Sequence, residues 1–413
     1  MKSTIKLEKS LSTPLSRIIL LDSLRGFSLL GVILMHMLQQ FSIPSPPEAR
    51  VPLFPEMDET IQWIGQNFIM GRFINIFAFL FGLSFFIQLD RAAKKGTDFR
   101  GRFIWRMFVM LLIGLIGNCF YRGEIISLYA IFGIVLVLLY RAKSWILISL
   151  AAILLLGIPR IIQVSYTAFY KTEQSELTQQ PEQRRVVVDA EPTKPTFLNT
   201  VKYNFTEGLK GKLNYQFGFF GRGYLTLALF ILGLVIGRTR FFEKAQSSKT
   251  LARLFITFVI CVILLTLLVS VFPELNFYAL MSGDSENIWS GLAVMTFNDM
   301  KIVVFSGAIV MGFAWLYQNR YFTKYLDVFS PYGRMGLTNY EMQGVIGCFL
   351  FSLWAFGSTF QSWGITELFL LGIAIYVLQL VFSGFWLKRF LYGPLEWFLR
   401  SATYLKKQPF RKK

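Results

Sequence analysis

Histidine occurs once in the 413 residues, as His36, and cysteine three times, as Cys119, Cys261 and Cys348. The thiols all fall inside apolar runs, and Cys and His nowhere recur at metal-site spacing. Neither a zinc centre nor a disulfide framework is therefore supported. Charge is also scarce: 16% of residues are Asp, Glu, Lys or Arg, against about 25% in soluble domains. With 54% hydrophobic residues and a mean hydropathy of +0.50, the chain reads as an integral membrane protein. Acidic residues number 24 against 42 basic ones, a net charge of +18. The surplus sits in short clusters between apolar runs, which is the positive-inside pattern and argues against nucleic-acid binding. Also missing are a Walker loop, a dinucleotide-binding glycine fingerprint after a strand, and a GxSxG elbow in a suitable context.

Apolar length is what the chain has in quantity. Ten stretches are long enough to cross a bilayer, near 18–40, 62–89, 104–121, 124–140, 145–166, 219–237, 254–272, 299–317, 336–357 and 365–387. This predicts an all-α polytopic membrane protein of about ten transmembrane helices. The first stretch outlasts a signal peptide's apolar core and shows no small-residue cleavage site, so it reads as a retained helix. The second is too long for one span; Gln66, Asn67, Gly71 and Arg72 suggest an interfacial start before the true crossing, and 287–299 looks similar. Segments 1–17, 90–106, 141–143, 238–253, 318–334 and 388–413 together hold 28 Lys and Arg, against two in the alternate short loops. That asymmetry predicts both termini in the cytoplasm. A long extracytoplasmic loop, 167–216, separates an N-terminal five-helix half (1–166) from a C-terminal one (217–413). Its stretch 171–196 is rich in Gln, Glu, Thr and Pro and predicts little fixed structure.

Ionisable groups inside spans are costly and mark reaction centres or pathways. Asp22, Arg25 and His36 share one face of the first helix, with ~21 Å between the first and last. The polar residues sort into two layers. The inner holds Asp22, Arg25, Arg334, Asn339 and Gln343; the outer holds His36, Arg72, Asn75, Asn118, Arg122, Glu124 and Arg222. Arg334 and Glu341 are expected on one face of the ninth span. The Asp22–Arg25 pair suits a structural ion pair, or Arg25 and Arg334 grip the phosphates of a nucleotide-bearing donor. His36 suits either an inter-helix hydrogen bond or a general base for acyl transfer or a proton relay, with Glu124 orienting its ring. Arg72 reads as a snorkelling or head-group residue, and Asn75 and Asn118 as inter-helix glue. Glu124 sits in the turn Arg122-Gly123-Glu124, where exposure is the default. Asn204-Phe205-Thr206 matches a glycosylation acceptor formally. The segment 392–397 with its basic tail reads as an amphipathic helix on anionic lipid.

Asp22-Ser23-Leu24-Arg25-Gly26-Phe27-Ser28-Leu29-Leu30-Gly31 resembles the opening signature of the YeiB-type bacterial membrane proteins, a family of unknown function. Further blocks match in order: Arg72-Phe73 through Phe79-Leu80-Phe81-Gly82-Leu83, Gly123-Glu124-Ile125 leading to Tyr129-Ala130, Gly333-Arg334-Met335-Gly336-Leu337-Thr338-Asn339-Tyr340 with Gln343, and Gly393-Pro394-Leu395-Glu396-Trp397. The resemblance implies membership of a broader group of transmembrane acyltransferases, similar to heparan-alpha-glucosaminide N-acetyltransferase. It implies a bacterial cytoplasmic (inner) membrane and a cytoplasmic acyl-CoA donor, acetyl-CoA first. Where that family commonly has Asn at 36, His near 117–118 and Asp at 124, this chain has His36, Asn118 and Glu124. Imidazole and amide have exchanged places, or the chemistry is altered. The Asp-x-x-Arg-Gly opening is also reminiscent of bacterial surface-glycan O-acyltransferases, which the C-terminal blocks fit less well.

The expected function is thus acyl transfer. Asp22, Arg25, Arg334, Asn339 and Gln343 hold the donor, His36 with Asn118 and Glu124 performs catalysis, and Arg72, Asn75 and Arg222 bind the acceptor. Expected partners are the bilayer, the acyl donor, an envelope glycan, lipid or small-molecule acceptor, and optionally a second copy as a homodimer; no metal and no nucleic acid are expected. The alternative is a transporter or lipid flippase without covalent chemistry, and a third reading is a scaffold whose loop 167–216 binds a partner.

Overall fold

The computed structural model describes residues 14–43, 51–175, 195–244, 246–272 and 288–412. Among these the regular structure is helical, with a single isolated bridge, Phe390 to Arg411. In chain order the helices are α1 (Pro14–Leu38), α2 (Pro55–Ile64), α3 (Arg72–Ala93), α4 (Arg100–Asn118), α5 (Ile126–Leu139), α6 (Ser144–Leu155) and α7 (Ile158–Ser175). Then come α8 (Phe197–Phe205), α9 (Glu207–Phe217), α10 (Arg222–Thr239), α11 (Ser248–Ser270), α12 (Ile288–Leu316) and α13 (Arg320–Leu326). The last are α14 (Ser330–Arg334), α15 (Gly336–Phe351), α16 (Gly357–Phe360), α17 (Ile365–Arg389) and α18 (Pro394–Tyr404).

Seven helices among the described residues are long and apolar enough to cross a membrane, or eight if α6 and the start of α7, bent by 46°, form one span. They correspond to eight of the ten expected stretches. The other two became α5, with 14 residues, and α15, with 16. At ~1.5 Å per residue these reach only about 21–24 Å, short of a ~30 Å hydrocarbon layer. The second stretch begins, as expected, with a separate segment: α2 and the wide turn Gly65–Ile69 precede α3. Residues 288–299, by contrast, are not a separate interfacial piece but the first turns of a continuous 29-residue α12. The expectation of little structure over 171–196 falls mostly on 176–194, outside the described residues. The described parts of that loop form the end of α7 and the helices α8 and α9.

In lipid no hydrophobic force draws helices together, so small residues and satisfied helix ends do the work. A methyl at Gly82 would lie 2.0 Å from the Phe230 carbonyl oxygen, and one at Gly233 would lie 2.3 Å from that of Phe79. Thus α3 and α10 touch backbone to backbone near their middles. They run parallel, with Arg222 on Asn75 at one end and Arg240 paired to Asp90 at 2.9 Å at the other. Stacked Phe81 and Phe230 (4.6 Å) and edge-on Tyr129 (4.8 Å) fill the space beside this contact. Helix α1 runs antiparallel to α3, with Arg25 beside Ser84 and Leu38 beside Gly65.

Distant side chains cap several helix ends, which in a bilayer cannot be left to water. Asp58 accepts from the Ile365 and Thr366 amides at the start of α17. Arg238 donates to the Tyr140 and Ala142 carbonyls beyond α5. Glu396 of α18 accepts from the Leu337 and Thr338 amides (2.7 and 3.0 Å) and the Thr338 hydroxyl (2.6 Å) at the start of α15. The two C-terminal sequence motifs are therefore two halves of one joint. The amphipathic helix expected near 392–397 is α18, which packs along α4, with Trp105 donating to the Ala402 carbonyl.

Candidate functional site

The inner and outer polar layers lie toward opposite ends of α1. At the inner end Arg25 holds Asp22 at 2.8 Å, Ser84 Oγ at 3.1 Å and the Gly333 carbonyl at 3.4 Å. Gly26 and Gly333 make this possible. A methyl on Gly333 would meet the Asp22 carbonyl oxygen at 1.9 Å, and one on Gly26 the Phe329 oxygen at 2.1 Å. Only glycine on both sides lets α14 sit directly against α1 and bring Arg334 to the same end. Arg334 is exposed, with one 3.5 Å contact to the Leu391 carbonyl.

Asn339 and Gln343 lie one turn apart, as their spacing predicts, but both turn to Tyr332. Asn339 donates to the Tyr332 carbonyl (3.2 Å) and Ser383 Oγ (2.9 Å), and Gln343 to the Tyr332 hydroxyl (2.9 Å), which itself donates to Gln379 (2.7 Å). These amides tie α14, α15 and α17 together. Arg334 and Glu341 do not share a face, because the chain breaks at Met335 between α14 and α15.

At the outer end His36 is 2% exposed. Its ring is enclosed by Tyr121 (5.0 Å), Phe41 (5.1 Å) and Tyr340 (6.2 Å), and its Nδ1 has no hydrogen-bond partner. Behind Phe41 and Tyr121 lies a cavity of about 30 Å³, also walled by Ser42, Arg122, Asn204 and Ser352. Asn118 and Asn204 exchange amide hydrogen bonds with each other's carbonyls (3.2 and 3.0 Å). Asn204, the formal glycosylation match, is thus buried and committed to this pairing.

Glu124 overturns the expectation of exposure, being 1% exposed. The turn folds inward because the Glu124 carboxylate caps α5 through the Ser127 amide (3.0 Å) and is met by Lys212 of α9 at 3.4 Å. Lys212 also donates to Ser127 Oγ at 3.0 Å. A methyl on Gly117 would lie 2.2 Å from Glu341 Oε2 and 3.1 Å from Glu124 Cγ, so the two carboxyl groups flank this glycine. Glu124 is turned to Lys212 rather than to the imidazole. The link between the two residues is Tyr340, whose ring faces His36 and whose hydroxyl accepts from the Ile125 amide (3.1 Å).

The three expected acceptor residues come together. Arg222 donates to Asn75 Oδ1 at 3.2 Å, and Arg72, 5% exposed, donates to the Gln66 and Met70 carbonyls at 2.6 Å each. Two partners escaped the sequence reading. Asp299 lies 2.8 Å from Arg160 and 3.9 Å from Arg222. Arg160, inside the fifth apolar stretch, and Asp299, at the start of the eighth, carried a visible signal; Lys212 did not.

Among the described residues no group of His, Cys, Asp and Glu is placed to hold a metal. Residues 236–406 match the family model described as "Protein of unknown function (DUF418)". That description assigns no function. The matched stretch includes both interlocking C-terminal motifs. Over nearly its whole length the chain is similar to the uncharacterised protein YxaH of Bacillus subtilis, at 28% identity over 423 residues covering 96% of each chain. It is also similar to an uncharacterised 39.9 kDa protein in the amylase 3' region of Bacillus acidopullulyticus, at 29% identity and 95% of each. No solved structure matches.

Proposed function

We propose that the chain is an acyltransferase of the bacterial cytoplasmic membrane, with both termini inside and ten crossings if the short α5 and α15 are counted. It would move an acyl group from cytoplasmic acyl-CoA, acetyl-CoA first, to an envelope glycan, lipid or small-molecule acceptor. One observation carries the reading: the cavity at Tyr121 is bordered by side chains that touch both His36 and Asn118. A hydroxyl or amine acceptor attacks the thioester carbonyl, forming the new C–O or C–N bond as the C–S bond breaks. Neutral His36 takes the acceptor's proton and returns it to the departing thiolate. Tyr121 and Phe41 stand between the imidazole and the cavity, so turnover requires one of these rings to swing aside. Arg25 and Arg334 suit the donor's phosphates at the inner end, with Asp22, Asn339 and Gln343 holding the helices that carry them.

Acetyl-CoA should stabilise the purified protein saturably against heat, and His36→Ala should abolish product while keeping that stabilisation. No stabilisation of folded protein at millimolar donor overturns donor binding, and transfer surviving His36→Ala overturns the base assignment. The buried Glu124–Lys212 pair beside Glu341 favours a second reading, a transporter or flippase. Flux in proteoliposomes without a covalent product would select it.

A further inference from the structure

Helices α3, α7 and α10 begin at one place, each after a left-handed glycine: Gly71 (φ 78°), Gly157 (φ 68°) and Gly221 (φ 60°). A methyl on Gly71 would lie 3.7 Å from Arg222 Nη2, one on Gly157 2.8 Å from Arg160 Nη2, and one on Gly221 3.9 Å from Arg160 Cβ. The positive ends of three helix dipoles therefore converge. So do four cationic side chains: Arg72, Arg160, Arg222 and Lys301. Arg72 lies against α12, its carbonyl accepting from Ser306 Oγ at 2.9 Å and its guanidinium 5.7 Å from the Phe305 ring, one turn from Lys301, while Gly71 abuts Arg222. Among the described residues Asp299 is the carboxylate that answers them, pairing with Arg160 and Arg222, against four positive charges.

Surplus charge in a poorly solvated place is expensive unless a counter-charge arrives. Two further signs point to a ligand. Asn75, 2% exposed, accepts from Arg222 at Oδ1 and leaves its Nδ2 without a partner. Arg72 and Arg160, 5% and 2% exposed, each leave Nε unpaired. The cluster is reached from the side of Arg222 and Asp299, whose side chains are 16% and 21% exposed.

We propose that Arg72, Asn75, Arg160, Arg222 and Lys301 form a binding site for a phosphate group. A tetrahedral oxyanion offers acceptors in several directions to donors from four helices, α3, α7, α10 and α12, whereas a carboxylate offers two oxygens in one plane. The site rests on the acceptor end of the reading above and assigns that acceptor a phosphate, but it is tested by binding alone, without any acyl transfer.

The experiment uses the full-length protein in a neutral detergent. Inorganic phosphate is titrated against chloride at equal ionic strength with melting as the readout, and native mass spectrometry scores retention of phosphatidic acid against uncharged diacylglycerol. Saturable stabilisation by inorganic phosphate identifies a soluble phosphate compound as the ligand; retention of phosphatidic acid alone identifies a lipid head group. Lys301→Met and Arg222→Gln should each weaken whichever binding is seen by about tenfold to a hundredfold. Lys301, partly exposed and in no ion pair among the described residues, is the variant whose folding is least at risk. The site is overturned if neither probe binds, or if both variants bind as the wild type does.

Discussion

Removing the Glu396 carboxylate tests the joint between the two C-terminal motifs. It meets three donors at the first turn of α15, at 2.6–3.0 Å. Losing a helix cap costs about 1–2 kcal/mol, and losing a negative charge from a helix N-terminus costs roughly a further 0.3–1 kcal/mol. Glu396 is only partly buried, so water replaces some of what Glu396→Ala removes and the expected loss is about 2 kcal/mol. At roughly 1 °C per kcal/mol for a chain of this length the melting temperature falls by about 2 °C. Glu396→Gln keeps an acceptor oxygen without the charge and should fall about half as far. Intrinsic fluorescence suits the assay because Trp397 follows Glu396 and donates to the Gln408 carbonyl. A Glu396→Ala protein that melts with the wild type would refute the cap, and the account of why these motifs occur together.

Gly333→Ala puts a methyl 1.9 Å from a backbone oxygen that cannot step aside, whereas Gly336→Ala meets the flexible Arg25 side chain at 3.3 Å. Size-exclusion chromatography of tagged protein should show loss of the monodisperse peak for the first and its retention for the second. Lys212→Met strands Glu124 next to Glu341 and should cost about 3–5 kcal/mol. Adding Glu124→Gln should recover most of it, and thermal melts of both variants check this.

The helices were legible because a bilayer forces backbone groups to pair within a segment, so each span announces itself as an apolar run. That rule sets a run's existence rather than its use: 124–140 and 336–357 became helices too short to span alone, and 288–299 merged into α12. The candidate site was legible where polarity interrupts an apolar run, as at Asp22, Arg25, His36 and Arg72. It was not legible where the partner comes from a polar stretch. Lys212 reaches Glu124 across 88 residues, from a region whose composition is that of a loop. Nor does any local pattern show that Asn339 and Gln343 turn to Tyr332 rather than to Arg25. The glycines of the motifs were visible as letters, but their purpose needed the neighbouring backbone.

The contact between Gly82 and Gly233 constrains how this protein can move. It fastens two helices far apart in sequence, with bare backbone on both sides of the contact. Because Arg222 on Asn75 and Arg240 on Asp90 tie their two ends as well, the helices neither pivot freely nor part there without opening a void that no side chain fills. Any rearrangement of this protein must therefore carry α3 and α10 together as one strut.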